Sequence, residues 1–279
     1  MQIEERMNYK LVFSVITLIA LLQQAKGQEF ENKLSLNLGA GYIARQDLVF
    51  SPFIHQDFTL LNLGLEYTRN TNVYQNLRLG FTSFNPMLTS PYEYTINGET
   101  ELASEHYFTL IDLDYSIGKE FRKTDKSTTK VGAIFAADVQ VLNYTYGRIG
   151  SFGYYSSFGL GAFILKEYSL NEKSSVSGRF AIPLFNWLSR SPYLVNDDEF
   201  IENISSHSTL KSFFAFIGDG EFATLNKLQT FNLEAKYTYQ LNRRWDIGLG
   251  YFFEFIHVKE PRKLLSYRNS LFVSTNYRF

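Results

Sequence analysis

The sequence predicts an all-β chain folded as an antiparallel β-barrel of about ten strands, and three observations carry that expectation. Beyond position 28, apolar residues return at every second place, which is the period of a strand and not of a helix. The links between these segments alternate between short and long. Aromatic residues make up 17% of the 279 positions, with 26 Phe and 19 Tyr, a load that suits a β-rich protein or a membrane interface.

Composition narrows the chemistry. The chain has no cysteine, which removes disulfides, thiolate metal sites, cysteine nucleophiles and lipid-anchored Cys. Lys+Arg 27 against Asp+Glu 28 leaves a net charge of -1, so no basic excess points to a nucleic-acid partner.

The first element is a targeting segment. Leu11 to Leu22 form a short apolar run behind Lys10, and Ala25-Lys26-Gly27 places small residues where a signal peptidase cuts. The run is too short for the ~20 residues of a transmembrane helix. The division expected is therefore a signal peptide over 1–27 and one barrel domain over 28–279.

The strands follow in order. The first sets Leu34, Leu36, Leu38, Ala40 and Tyr42 against Ser35, Asn37, Gly39 and Gly41. The second sets Leu61, Leu63, Leu65 and Tyr67 against Asn62, Gly64 and Glu66, and the third Leu77, Leu79 and Phe81 against Arg78 and Gly80. In the fourth, Tyr107, Ile111, Leu113, Tyr115 and Ile117 alternate with Asp112 and Asp114; in the fifth, Val131 to Val141 alternate with Lys130 and Asp138. Phe158, Leu160, Ala162 and Ile164 make the sixth. The seventh, Val176 to Leu184 with Arg179 opposite, carries Pro183 near its end, where a missing donor does least harm. Phe231 to Tyr239 alternate with Glu234 and Lys236, Trp245 to Phe255 with Asp246 and Glu254, and Leu271 to Phe279 with Arg278.

A soluble sandwich also alternates, but the connections decide. Links at 70–72, 122–127, 169–173 and 242–244 are short and polar, whereas those at 46–56, 85–105, 188–227 and 259–266 are longer. Only the link at 147–153 breaks the contrast. Short turns at one end, long loops at the other and an even strand count are the plan of a transmembrane barrel with short periplasmic turns and longer extracellular loops, twelve strands being the alternative if the longest loop adds a hairpin. Tyr42, Tyr67, Phe81, Tyr107, Tyr115, Tyr239, Tyr251, Phe255 and Tyr277 end the apolar faces as an aromatic girdle would.

In such a barrel the polar face is the lumen. It carries Glu66, Arg78, Asp112, Asp114, Lys130, Asp138, Arg179, Glu234, Lys236, Asp246, Glu254 and Arg278, with glycines between them where a narrow wall crowds its inward side chains. Ten strands sit just above the size that side chains fill and well below the 16 to 18 that leave a channel. The expectation is a charge network that neutralises itself across a largely filled lumen.

The signal segment, the alternating strands and the terminal Asn276-Tyr277-Arg278-Phe279 resemble Gram-negative outer-membrane β-barrel proteins, with an export composition similar to that of Bacteroidota. The resemblance is to the class and includes no enzyme motif. It implies a cell outer membrane location, contact with outer-membrane lipid, and recognition of Phe279 by the barrel-assembly machinery.

Candidate chemistry is sparse. Paired carboxylates such as Asp112 and Asp114 can split their pKa values for acid/base work. The ten-stranded omptin proteases use an acidic pair and an Asp-His pair at the lumen rim, but here the likeness stops at size, because no histidine faces the pair by parity. The His-x-Ser strand pairing of the lipid A deacylases is absent as well; Ser206-His207-Ser208 falls in the longest loop. His55, His106, His207 and His257 all fall on the long-loop side and could gather around a metal, though no second shell is visible for one. In the loop 188–227, Asn196 to Glu199 ahead of Phe200, Ile201 and Ile204 reads as a capped helix. Phe213 to Ile217 reads as a buried run folding over or into the mouth as a lid.

No catalytic residue, metal or cofactor is assigned. The function expected is structural or binding, through the extracellular loops. A narrow solute channel and a surface hydrolase are the alternatives.

Overall fold

The computed structural model describes residues 32–86, 93–102, 106–146, 149–191 and 209–279. The expected signal peptide over 1–27 and the capped helix at Asn196 to Ile204 lie outside the described residues.

Ten strands close the wall: β1 Asn32–Asp47, β2 His55–Asn70, β3 Tyr74–Phe84, β6 Tyr107–Lys123, β7 Ser127–Tyr146, β8 Ile149–Ser169, β9 Ser174–Arg190, β11 Leu228–Gln240, β12 Trp245–Val258 and β13 Leu264–Arg278. Each pairs antiparallel with its neighbours, and the circle is completed by β13 on β1. Two short strands, β4 Glu93–Ile96 and β5 Glu99–Leu102, form a separate hairpin in the loop between β3 and β6. Its two-residue turn is Asn97-Gly98, both at positive φ, 51° and 85°. That is the geometry a twisted hairpin selects and Asn-Gly supplies.

A third short strand, β10 Glu221–Thr224, pairs with the upper part of β9, whose lower part pairs with β11. β10 and β11 thus act as one strand interrupted at 225–227, and among the described residues the longest loop adds no pair of wall strands. The barrel has ten. The run Phe213 to Ile217, expected to be buried, belongs to a helix, α1 Thr209–Gly218, in which Phe216 is buried while Phe213 and Phe214 are exposed.

The register fixes how the wall closes. From Leu38, hydrogen-bonded partners lead one way through Leu63, Phe81 and Ile111 to Val139 on β7, and the other way through Val273, Leu249, Tyr237, Val176 and Tyr168 to Ser127. The twelve-residue offset between Val139 and Ser127 is the stagger that tilts the strands, roughly 35–45° from the axis in closed barrels.

One face of every strand is apolar and exposed: Leu36, Leu38, Leu63, Ile111, Leu160, Leu249, Leu271 and Val273 among others. A continuous apolar belt of this kind has no stable contact with water and matches the lipid-facing band of a membrane barrel. Apolar groups also occur inside, but at the ends. Near the long loops, Ile43, Val49, Phe50, Phe84, Phe108, Leu110, Leu142 and Tyr144 form one cluster, and Tyr155, Leu188, Ala223, Leu228, Ile256, Val258 and Leu264 a second. Near the short turns, Tyr74, Ile134, Phe163, Leu165 and Ala181 form a third.

Between these clusters the wall needs small residues. A Cβ on Gly132 would collide with the Ile117 carbonyl and the Gly118 backbone, and one on Gly80 would come to 2.9 Å from an Asp112 carboxylate oxygen.

Candidate functional site

The polar middle of the lumen is where the sequence placed its charges. All twelve candidate residues lie on the inward face, and the closed wall brings most of them together in pairs that are far apart in sequence.

The central module has two arginines and two carboxylates. Arg78 on β3 bonds Asp114 on β6 and reaches Glu234 on β11 at 2.5 Å. Arg179 on β9 reaches the same Glu234 oxygen at 2.5 Å, donates to the Ser116 hydroxyl at 2.6 Å and lies 3.9 Å from Asp114. Two positive and two negative charges thus cancel within one ring of contacts, which buried ions require. Phe252 stacks beneath the Arg78 guanidinium at 4.5 Å, covering its apolar face.

Toward the short turns the pairs are simpler and wetter. Lys236 lies 3.4 Å from Glu66, Lys130 2.6 Å from Glu167, and Arg278 2.8 Å from Asp246. Toward the long loops, Arg268 on β13 reaches Asp112 at 2.7 Å and Glu254 at 3.2 Å. Asp138 accepts two bonds from the Gln140 amide, at 2.9 and 3.2 Å. Asp112 and Asp114 are therefore both held by guanidinium groups, a structural use of the pair.

The sequence reading missed the layer above. Arg45 and Asp47 end β1, and Arg190 ends β9; all three are buried. Asp47 accepts from Arg190 at 2.6 Å and from Arg45 at 3.3 Å, and Arg45 also donates to Gln140 at 2.5 Å. Arg190 further donates to the carbonyls of Glu260 and Arg262, tying the last loop to the lumen. This hub and the two apolar clusters of the long-loop end are buried side chains at the same end of the lumen. A cavity of about 70 Å³ remains below them, its wall combining charged side chains (Glu66, Arg78, Asp112, Glu234, Lys236 and Arg268) with apolar ones such as Phe252 and Phe272. At about 10–15 Å³ per water-sized site it holds a few waters.

The histidines do not gather as a set. His55 and His106 meet edge to face, ring centroids 4.8 Å apart, within the Phe108 and Tyr144 aromatic cluster. His257 lies apart, 3.1 Å from Gln229, and His207 lies outside the described residues.

The Nδ1 atom of His106 accepts the Thr145 amide at 2.9 Å, and burial holds this imidazole below its usual 6.5. A base kept neutral in the folded state adds stability above pH 6.5 that declines as pH falls below it, because the unfolded chain takes up the proton first. The protection factor of the Thr145 amide, its exchange rate relative to that of the unfolded chain at the same pH, is expected to fall between pH 7.5 and 5 in the wild type but not in His106→Gln. Equal pH dependence in both would contradict this role.

Helix α1 is not a lid in the mouth. Phe216 stacks on Tyr154 at 4.4 Å, the Ile217 carbonyl accepts from the Trp187 indole at 2.7 Å, and the Phe216 carbonyl accepts from Ser189. Tyr154, Trp187 and Ser189 all point outward, in rows with Val141, Phe158 and Ser156. The helix therefore lies on the outer wall at the rim. An apolar cavity of about 230 Å³ separates Phe213, Phe216 and Ile217 from Val139, Val141 and Phe152.

Phe279 stands just past β13, exchanging two backbone hydrogen bonds with Asn32, at 3.0 and 3.3 Å, beside the Tyr277 ring.

No family model matches the chain, and no curated protein matches it in sequence. Solved structures do match. The outer membrane protease OmpT from Escherichia coli aligns over 92% of this chain and 99% of its own, with TM-score 0.54 and 7% identity. The translocator domain of the autotransporter NalP from Neisseria meningitidis aligns over 98% and 96%, with TM-score 0.41 and 9% identity. Neisserial surface protein A aligns over 89% and 97%, with TM-score 0.38 and 10% identity. The likeness to the first establishes the fold, that of an outer-membrane β-barrel, and at such identity it carries no activity across.

Proposed function

We propose that this chain is a non-enzymatic barrel of the cell outer membrane whose lumen is closed by its own side chains and whose work is done by binding at the long-loop end. The observation that carries the reading is the stacked closure just described: apolar clusters and the Arg45–Asp47–Arg190 hub above, the Arg78–Asp114–Glu234–Arg179 ring below. On this reading the ion pairs at two levels, buried at Asp47 and half-buried at Glu234, interrupt the aqueous path through the lumen. Lipid at the apolar belt, and the barrel-assembly machinery at Phe279, complete the proposed partners.

The cavity that runs past the ring, from Arg268 and Asp112 to Lys236 and Glu66, is the feature that favours a narrow channel as the second reading. Proteoliposomes carrying the refolded protein are expected to show no swelling in iso-osmotic glycine or arabinose. Swelling that grows with the amount of protein would replace the closed barrel by a channel.

A further inference from the structure

The charge balance of the lumen has one defect. Arg78 and Arg179 match Asp114 and Glu234, and of Asp112, Glu254 and Asp138 only the first two are paired, both with Arg268; three arginines therefore face five carboxylates, which leaves two negative charges unmatched.

These three carboxylates place oxygen atoms within 4.8 Å of one another. Asp112 and Asp138 are direct cross-strand partners, and like charges in that relation repel. Asn232, the direct partner of Glu254 across β11 and β12, is an independent sign. It is 8% exposed and its buried Oδ1 has no hydrogen-bond partner, as has Asp112 Oδ1. Asn232 and the three carboxylates line one small cavity of about 20 Å³, the size of a single water or ion, with Asp114 and its partner Arg78 also in the wall. Gln140, turned by its bond from Arg45, donates to Asp138 and so fixes that carboxylate.

We propose that Asp112, Asp138 and Glu254, together with the Asn232 amide oxygen, bind a hard divalent cation, with calcium preferred over magnesium. The donors are all oxygen, which excludes the softer metals that seek thiolate or imidazole. Calcium accepts six to eight oxygens in flexible geometry, whereas magnesium demands a strict octahedron. Two unmatched charges are what one divalent ion neutralises. Arg268 stays on Asp112 Oδ2 and on Glu254, leaving Asp112 Oδ1 for the ion.

The test uses residues 28–279 refolded in detergent, chelator-treated, and titrated calorimetrically with calcium chloride alone. Parallel samples are refolded with calcium present throughout, so that slow entry does not decide the result. The wild type is expected to bind one calcium saturably, with an unfolding midpoint that climbs with calcium concentration. Asp138→Asn, which keeps the shape and removes the repulsion, is expected to fold without calcium and lose both effects; Asn232→Ala is expected to bind about tenfold more weakly, the loss of one neutral oxygen ligand. A calcium-indifferent wild type overturns the proposal and leaves protons to neutralise the cluster. Binding to Asp138→Asn and Glu254→Gln as tight as to the wild type overturns it too, since the ion then sits elsewhere.

Discussion

Replacing Asp47 by alanine is expected to lower the unfolding free energy of the refolded barrel by about 3–5 kcal/mol, the cost of leaving a buried charge without its partner. Asp47 is the one carboxylate bonded to both Arg45 and Arg190, which are 0% and 8% exposed. Its Oδ1 also accepts the Val49 amide at 3.1 Å. Alanine would strand two guanidinium groups among neutral acceptors and free the loop after β1. Cleavage by protease within 48–54 and 259–263 should therefore rise before the wall unfolds, since Arg190 holds the second loop by its carbonyls. Asp47→Asn, which keeps the shape and an acceptor, should lose less. A urea midpoint for Asp47→Ala within error of the wild type would contradict the hub.

The second large effect is expected at Arg268. Arg268→Met in chelator should cost about 3–5 kcal/mol, because Asp112, Glu254 and Asp138 then share one buried volume with only Arg78 beside them, itself already paired with Asp114 and Glu234. The methionine keeps apolar contact with Phe252, whose ring lies 5.3 Å from the guanidinium carbon, so the loss reports charge and not volume. Adding Glu254→Gln should restore part of it, with a coupling of about 1 kcal/mol or more between two groups in contact. Additive losses in the double variant would mean the two side chains do not act on each other.

The wall was legible in the sequence because lipid on one face and packed charges on the other enforce strict alternation. Leu36 and Leu38 point out while Ser35 and Asn37 point in, and the same rule located Asp112, Asp114, Glu234 and Lys236 on the lumen face. It failed at the long-loop rim. There the inside turns apolar, as Ile43, Phe84 and Phe108 do, and α1 covers the outside, so neither face keeps its usual chemistry. Arg45, Asp47, Arg190 and Arg268 were lost to expected loops or strand ends for that reason.

The partners were illegible for a different reason. Arg78 meets Glu234 and Arg268 meets Asp112 across 156 positions of chain, a distance set by closure and stagger, which no single strand encodes. Helix α1 was misread because Phe213, Phe216 and Ile217 form a stripe too short for its period to show. Hydrophobicity alone does not separate a short strand from a short helix.

The most direct test of the closed lumen is single-channel recording of residues 28–279, refolded in detergent, shown to be folded by their gel mobility before and after heating, and inserted into a planar bilayer. The account predicts silence, in the wild type and across both polarities. Discrete, reproducible conductance steps from protein with the folded mobility would contradict it, for an open path cannot pass through packed apolar clusters and two levels of ion pairs.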